Sequence, residues 1–214
     1  AYLMGLVSGM KTEELVNFVG LVYDIIIGKV GVATVNSEEI TSLIYQQHVL
    51  ANELKIYSQK TLLDKIAEWR SKGYKVGFAN GVFDLLHPGH IALLSQAKQK
   101  CDRLIVALNS DDSTRKIRGK GHPIQHETAR ALVIASLADV DAVTIFQEDD
   151  PLKLIQMVKP DIMFKGSTFA TKPIVGADFV KSYGGQVCLI NLEFGYNSLE
   201  TANSFLESMS QDKQ

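Results

Sequence analysis

The sequence predicts an α/β fold, a Rossmann-like doubly wound parallel sheet preceded by a mainly helical N-terminal appendage. Two observations lead to this prediction. From Leu62 onward, short apolar runs alternate with segments of helical spacing, as in β-α units joined by right-handed crossovers. Within this alternation, residues 75–90 combine a strand pattern, a turn and a helix start. Ligands of doubly wound sheets bind outside the carboxyl ends of the strands, so this turn is the first place to look for function.

The chain is expected to divide into the appendage, residues 1–60, and the sheet domain, residues 61–214. In the appendage, apolar residues recur at helical spacing over 13–28, and residues 30–35 have the composition of an edge strand. A linker with an approach helix is expected over 43–60. The appendage alone therefore predicts structure rather than a function.

The sheet domain is predicted to alternate helices with strands. The helices are expected over residues 62–72, 88–100, 127–137 and 151–158, and the strands over 76–79, 104–109, 142–146, 162–164 and 187–190. Several of these strands are continuous apolar runs, which is the pattern of a parallel sheet covered on both faces.

The turn between the first strand and the following helix has the features of an anion site. The Asn80-Gly81 pair tolerates the positive φ that ends a strand, and Pro88 suits the first helical position. His87 then caps the helix, and His90 lies on the same side of its first turn, near free backbone N–H groups. Gly89 leaves room for a phosphate to approach the backbone. The alternative is structural, with one histidine a polar cap and the other partly exposed.

Composition excludes several classes of protein. The 214 residues include 46% hydrophobic residues, which can fill a sizeable core. A net charge of −2 creates no field that attracts nucleic acid or an anionic membrane. No apolar run approaches the roughly 20 residues that span a bilayer, and the start lacks the order of a signal peptide. Cys101 and Cys188 form neither a redox pair nor a metal spacing, so we expect a cytoplasmic protein with reduced cysteines.

The run from Asn80 to His90, Asn-Gly-Val-Phe-Asp-Leu-Leu-His-Pro-Gly-His, resembles the H-x-G-H signature of the nucleotidyltransferase superfamily of cytidylyltransferases and adenylyltransferases. Together with Asp102 to Asp111, it resembles more narrowly the adenylyltransferase domains of bacterial ADP-heptose synthases. This resemblance implies the HIGH-type nucleotidyltransferase fold. Residues 25–35 resemble the last stretch of the ribokinase-like sugar kinase that precedes that domain in the bifunctional enzymes, but no kinase catalytic motif is found.

A basic segment over residues 109–121 follows the next predicted strand. An isolated charge run is usually a solvated loop, but this one leaves a strand beside the histidine motif and is expected to fold over phosphates. It resembles the family's Ser-Thr-Lys-Arg-Leu-Lys-Gly segment, with Arg118 at a position where the family has lysine.

The resemblance implies a set of site residues. The catalytic candidates are His87, His90 and Lys116. The nucleotide-binding candidates are Asn80, Gly81, Phe83, Asp84, Gly89, Arg118, Arg130, Lys165, Gly166, Asn197 and Ser198. The histidines would bind the α-phosphate, while Lys116, Arg118 and Arg130 would bind the β- and γ-phosphates. Asp84 has two open interpretations: it holds a metal ion through water, or it only orders the turn.

Three functions remain open at this point. The resemblance implies transfer of AMP from ATP to a sugar 1-phosphate, D-glycero-β-D-manno-heptose 1-phosphate, to give ADP-heptose and pyrophosphate for lipopolysaccharide synthesis. A second possibility is a cytidylyltransferase that acts on another phosphate or phosphonate acceptor, such as glycerol phosphate. The third is a non-catalytic nucleotide-binding subunit, because Asn197-Ser198-Leu199 stands where relatives have Ser-Thr-Thr.

The cofactor and the partners follow from the resemblance. Mg²⁺ is expected with ATP because it neutralises triphosphate charge while it keeps most of its waters. The expected partners are the small-molecule substrates, a second copy of the chain in a homo-oligomer such as a dimer, and a separate sugar kinase. Nucleic acid and membrane are not expected partners.

Overall fold

A computed structural model describes residues 8–29, 34–166 and 173–191 of the chain. The chain divides into two compact units, residues 1–52 and residues 53–214. The first unit carries helices only in its described part, and the second carries the sheet.

The first unit contains helix α1 (Thr12–Ile27) and helix α2 (Ser37–Glu53), which ends at the boundary between the units. α2 covers residues 43–53 of the segment 43–60, where a linker with an approach helix was expected. Its start is a reciprocal cap: Asn36 Oδ1 accepts from the Glu39 amide at 2.8 Å, and Glu39 Oε2 accepts from the Asn36 amide at 3.0 Å. The strand predicted over 30–35 lies outside the described residues except for 34 and 35, which are not in a strand.

The second unit is built on a five-stranded sheet whose neighbouring strands are all parallel. In chain order the strands are β1 (Val76–Gly81), β2 (Arg103–Asn109), β3 (Ala142–Phe146), β4 (Ile162–Gly166) and β5 (Gln186–Ile190). Their spatial order is β3-β2-β1-β4-β5, so the chain winds outward from β1 in one direction and then returns to the other side of β1. The predicted doubly wound parallel sheet is confirmed. Its switch point lies between β1 and β4, where ligands of such folds bind.

Helices cover both faces of the sheet. Side chains of α3 (Gln59–Ser71), α7 (Leu152–Val158) and α8 (Ala177–Ser182) form one core with Val76 and Phe78 of β1. Side chains of α4 (Pro88–Lys98) and α6 (Glu127–Ala135) form the other core with Ala79. Successive β1 residues therefore enter opposite cores, as the pleat of a strand requires.

Two elements of this unit were not predicted as helices. Helix α5 (Asp111–Arg118) replaces the expected loop, because Ser110 caps it and the helix carries acids in its first turn and bases in its last. The short α8 was also missed, since its six residues follow Gly176 with no side-chain cap. The other predicted helices and strands exist with ends shifted by a few residues.

Close packing ties α4 to the sheet at Gly77 of β1. A Cβ atom at Gly77 would lie 2.5 Å from Cys101 Sγ and 2.7 Å from a ring carbon of Phe164. Only glycine fits there, and the segment after α4 approaches the strand closely as a result. Within the described ranges, the helices are all too short or too polar to cross a membrane.

Candidate active site

The two histidines of the motif lie together at the start of α4, after β1. His87 is the N-cap residue and Pro88 is the first helical residue, as predicted. The His87 and His90 rings are stacked, with centroids 3.8 Å apart and planes inclined by 29°. Gly89 between them is buried. The pair forms one imidazole surface beside the free amides of the helix start.

Burial controls the charge of these imidazoles. It lowers the pKa of His87, and it lowers that of His90 to about 3, with smaller contributions from the charges of His87 and Arg118. Nδ1 of His90 is buried and has no hydrogen-bond partner among the described residues. Because burial lowers both pKa values, it favours the neutral imidazoles, and a nearby anion would favour their protonated forms.

Helix α5 presents two different faces. Asp111, Thr114 and Arg118 share one face at spacings of three and four residues, and both Asp111 and Thr114 are buried. Asp112, Arg115 and Lys116 occupy the other face, which is exposed. The cations of the basic segment are therefore divided between two locations.

Arg118 lies on the side of the histidines. Its pKa is lowered by burial first, raised by the nearby carboxylate of Asp84 and lowered by the charge of Arg130. Its own charge contributes to the lowered pKa of His90. These interactions place the Arg118 guanidinium in the same polar cluster as Asp84 and His90.

Lys116 lies on the exposed face, where Nζ donates to Asp149 Oδ1 at 2.8 Å. That contact raises the pKa of Lys116. This face borders a cavity of about 530 Å³ that is lined by Ser110, Asp112, Arg115, Lys116, Glu127 and Gln147. The structure thus brings Arg118, and not Lys116, to the histidine pair.

Arg130 is fully buried, with 0% of its surface exposed. Its guanidinium donates four hydrogen bonds: Nε to Gln125 O at 3.0 Å, Nη1 to Val82 O at 2.6 Å, and Nη2 to Asn109 O at 2.9 Å and Asp111 Oδ1 at 2.8 Å. These contacts join the segment after β1, the end of β2 and the segment before α6. Arg130 was expected to bind phosphate, but the structure directs it toward backbone carbonyls.

Asp84 is also buried, with 1% exposed. Oδ1 accepts from the Ile124 and Gln125 amides, and Oδ2 accepts from the Ile124 amide, all at 2.9 Å. Nδ1 of His122 lies 3.5 Å from Oδ2. Of the two interpretations of Asp84, these contacts favour the ordering of the turn.

The described part of the chain contains no group of three His, Cys, Asp or Glu side chains that could hold a metal ion. The Asp84 carboxylate is buried and occupied by backbone amides, so it does not fit direct ligation.

The loop between Val82 and Asp84 contains a strained residue. Phe83 has φ 48°, in the left-handed region that bulky side chains rarely adopt. Its ring is 4% exposed and lies 4.9 Å from the His90 ring, centroid to centroid. A Cβ atom at Gly81 would lie 3.0 Å from the Phe83 ring, so glycine leaves room for this ring position.

The β4 side of the switch point carries Lys165 and Gly166. Lys165 Nζ donates to Asn80 O at 3.3 Å, and burial lowers the pKa of Lys165 to about 8. Oδ1 of Asn80 is buried without a hydrogen-bond partner among the described residues. Gly166 ends β4. The structure therefore brings the Lys165 segment beside the end of β1, while the predicted Asn197 and Ser198 lie outside the described residues.

Asp111 and His122 belong to the polar cluster but were not predicted as site residues. Asp111 accepts from Arg130, and its amide donates to Glu127 Oε2 at 2.7 Å. His122 reaches Asp84 from a loop with no motif of its own. Asp111 could have been found from its place directly after a strand end, whereas nothing in the sequence around His122 signals its position.

Comparisons with known proteins agree with this architecture. The model of the cytidylyltransferase-like family matches residues 78–198. Over 196 residues the chain is 42% identical to the bifunctional protein HldE of Rhodospirillum rubrum, covering 92% of this chain and 40% of that protein. Over 195 residues it is 40% identical to the bifunctional protein HldE of Caulobacter vibrioides, covering 91% of this chain and 40% of that protein. The chain thus spans about 40% of the length of these curated relatives.

Among solved structures, the pantoate-beta-alanine ligase of Francisella tularensis superposes with a TM-score of 0.52 at 20% identity. The match covers 69% of this chain and 72% of the ligase. At this identity the likeness concerns the fold alone.

Proposed function

Because the chain belongs to the cytidylyltransferase-like family, we propose that it transfers a nucleotidyl group from a nucleoside triphosphate to a phosphorylated acceptor. The observation that carries this proposal is the stacked His87 and His90 pair at the start of α4, with Arg118 beside it. Neutral imidazoles, free helix amides and a permanent cation together suit a centre where negative charge increases during the reaction.

The finer proposal is that the donor is ATP and the acceptor is a heptose 1-phosphate, D-glycero-β-D-manno-heptose 1-phosphate. The resemblance of residues 80–90 and 102–111 to the adenylyltransferase domains of ADP-heptose synthases supports this choice. The products would be ADP-heptose and pyrophosphate.

The chemistry requires positioning more than acid-base catalysis. A sugar phosphate has a second pKa of about 6, so at pH 7 its dianion is already a nucleophile. One of its oxygens forms a bond to the α-phosphorus as the bond from that phosphorus to the bridging oxygen of the β-phosphate breaks. The electron pair leaves with pyrophosphate, and no proton must be removed from the nucleophile.

Each group of the cluster has a role in this reaction. The stacked His87 and His90 would donate N–H groups to the α-phosphate, and charge that builds there in the transition state would strengthen those hydrogen bonds. Arg118 would attract the departing pyrophosphate, and Lys165 would bind phosphate from the β4 side of the switch point. Mg²⁺ bound to ATP would neutralise part of the triphosphate charge.

The test is a pyrophosphate-release assay with ATP, CTP, GTP and UTP, each paired with heptose 1-phosphate, glycerol 3-phosphate or a phosphonate in the presence of Mg²⁺. We expect release with ATP and the sugar 1-phosphate, and loss of release in His90→Ala. Release with CTP and a different acceptor would establish the cytidylyltransferase alternative. Calorimetric binding of ATP without release for any acceptor would establish a nucleotide-binding subunit and overturn the proposal.

A further inference from the structure

We propose that Arg130 is a positioning residue: it holds the Val82 carbonyl, and thereby sets Phe83 against His90 so that the two histidines keep one fixed orientation. This role rests on the proposed function for its effect on catalysis. Its structural part concerns the side chains alone and can be tested without a substrate.

The first step is the position of the guanidinium. Arg130 is completely buried, and three of its four hydrogen bonds end on backbone carbonyls from three segments, those of Val82, Asn109 and Gln125. The fourth ends on the carboxylate of Asp111, which balances the buried charge. A side chain held in this way connects the segment after β1 to the end of β2 and does not need a phosphate as a partner.

The second step concerns the loop itself. Val82 is held by Arg130 through its carbonyl at 2.6 Å, while Asp84 is held by the Ile124 and Gln125 amides. The Gln125 carbonyl in turn accepts from Arg130 Nε. Val82 and Asp84, on either side of Phe83, are therefore both held by hydrogen bonds with Arg130 or with the segment that Arg130 binds. Phe83 between them takes φ 48°, which a phenylalanine avoids unless its surroundings impose it.

The third step leads to the histidines. With this backbone conformation, the buried Phe83 ring lies against the His90 ring at 4.9 Å, and His90 stacks on His87 at 3.8 Å. The Phe83 ring also fills space that would otherwise admit water beside His90, whose pKa is low chiefly because it is buried. A continuous chain of contacts thus runs from Arg130 through Val82 and Phe83 to the imidazole pair.

The experiment compares Arg130→Lys with Arg115→Lys. Lysine keeps the charge but carries three donors on one nitrogen, so it cannot meet the four separated acceptors that the planar guanidinium of Arg130 reaches. Arg115 is an exposed arginine of α5 whose partner is Asp112, so its replacement controls for the chemical change itself. For Arg130→Lys we expect kcat to fall by at least about tenfold while KM for ATP changes by less than about threefold. Arg115→Lys should leave both constants unchanged.

A second readout is the imidazole titration, followed by NMR in the absence of nucleotide. In Phe83→Leu, which leaves Arg130 and Asp84 in place, we expect the pKa of His90 to rise toward its usual value. Phe83→Tyr keeps the ring and should preserve the low pKa. If Arg130→Lys fails to fold, the Phe83 pair still tests the contact with His90 on which the proposed role of Arg130 depends, and a failure there overturns the proposal.

Several results would overturn the proposal. One is a rise of tenfold or more in KM for ATP in Arg130→Lys with an unchanged His90 titration, since Arg130 would then bind the nucleotide directly. Another is a His90 pKa in Phe83→Leu that equals the pKa in the parent protein. If the parent releases no pyrophosphate with any acceptor, the proposed function fails, while the titrations continue to test the positioning role.

Discussion

The two edges of the sheet provide different environments for charged side chains. At the amino edge, three aspartates accept strand-end amides: Asp102 from Lys75 at 2.7 Å, Asp141 from Leu104 at 2.8 Å and Asp161 from Val76 at 2.7 Å. At the carboxyl edge, burial lowers the pKa values of His87, His90, Arg118 and Lys165. The fold thus stabilises the charge of the three aspartates at the amino edge and disfavours the positive charge of these four side chains at the carboxyl edge.

This difference indicates that the carboxyl edge contains groups that lower the stability of the free protein and can serve its function. A cation or imidazole that is buried near other basic groups is costly in the free protein, but an anionic ligand favours its charged form. The strained Phe83 lies at the same edge, beside His90. Changes at the carboxyl edge should therefore affect activity more than stability, and changes at the amino edge should do the reverse.

The largest effect is expected from the histidines. His87→Ala and His90→Ala should each lower kcat by about two orders of magnitude or more, with smaller changes in ATP affinity, because these groups act mainly in the transition state. Steady-state pyrophosphate release measures kcat, and calorimetry with ATP measures affinity. His90→Asn, which is smaller but keeps a polar side chain, is the matched control for loss of volume. Unchanged turnover in both alanine variants would show that the two histidines have no role in catalysis.

A smaller effect should separate the two faces of α5. Arg118→Ala should weaken ATP binding by roughly ten- to a hundredfold, since a hydrogen bond to a charged group contributes about 1.5–3 kcal/mol. Lys116→Ala should change it by less than about threefold, because its ammonium is exposed and pairs with Asp149. Calorimetry on both variants gives the comparison. Equal losses in the two variants would mean that Lys116 reaches the phosphates when nucleotide binds, as the sequence predicted.

The sequence was sufficient for the fold because its strands are local apolar runs, and for the family because its motif is one short continuous segment. Strand β3 occupies residues 142–146 as predicted, and the other strands differ by a few residues. The family prediction made from residues 80–90 is confirmed by the family match over residues 78–198. Apolar runs bounded by turn residues specify such strands whatever the ligand is.

The polar parts of the site were harder to predict. Helix α5 has no apolar stripe, since its buried face consists of Asp111, Ser113 and Thr114 and its one large apolar residue, Ile117, is 55% exposed. The sequence of this segment therefore lacks the helical spacing of apolar residues that would have predicted a helix. The sequence around Arg130 does not indicate whether its side chain contacts phosphate or backbone. In the structure the guanidinium is directed by four hydrogen bonds, most of them to residues distant in sequence.

The smallest effect on activity is expected at the amino edge, where Asp141 accepts three hydrogen bonds. Oδ2 takes the Leu104 amide at 2.8 Å and Lys98 Nζ at 2.6 Å, and Oδ1 takes Arg103 Nη1 at 3.2 Å. Asp141→Ala would leave the amide of the fully buried Leu104 without its acceptor and two cations without their counter-ion. The partly exposed ion pairs contribute little, so most of the expected loss, about 1–3 kcal/mol, comes from the amide.

Asp141→Asn keeps one carbonyl oxygen for the Leu104 amide and should recover most of that stability, which makes it the matched control. Urea unfolding monitored by circular dichroism measures the free energy, and pyrophosphate release on the folded variants should give kcat within about twofold of the parent. The comparison of the two edges fails if Asp141→Ala lowers kcat as strongly as the histidine variants while its unfolding midpoint stays unchanged. In that case the carboxylate would act on the site from the far end of β2 and β3, and stability and function would not be separated along the strands.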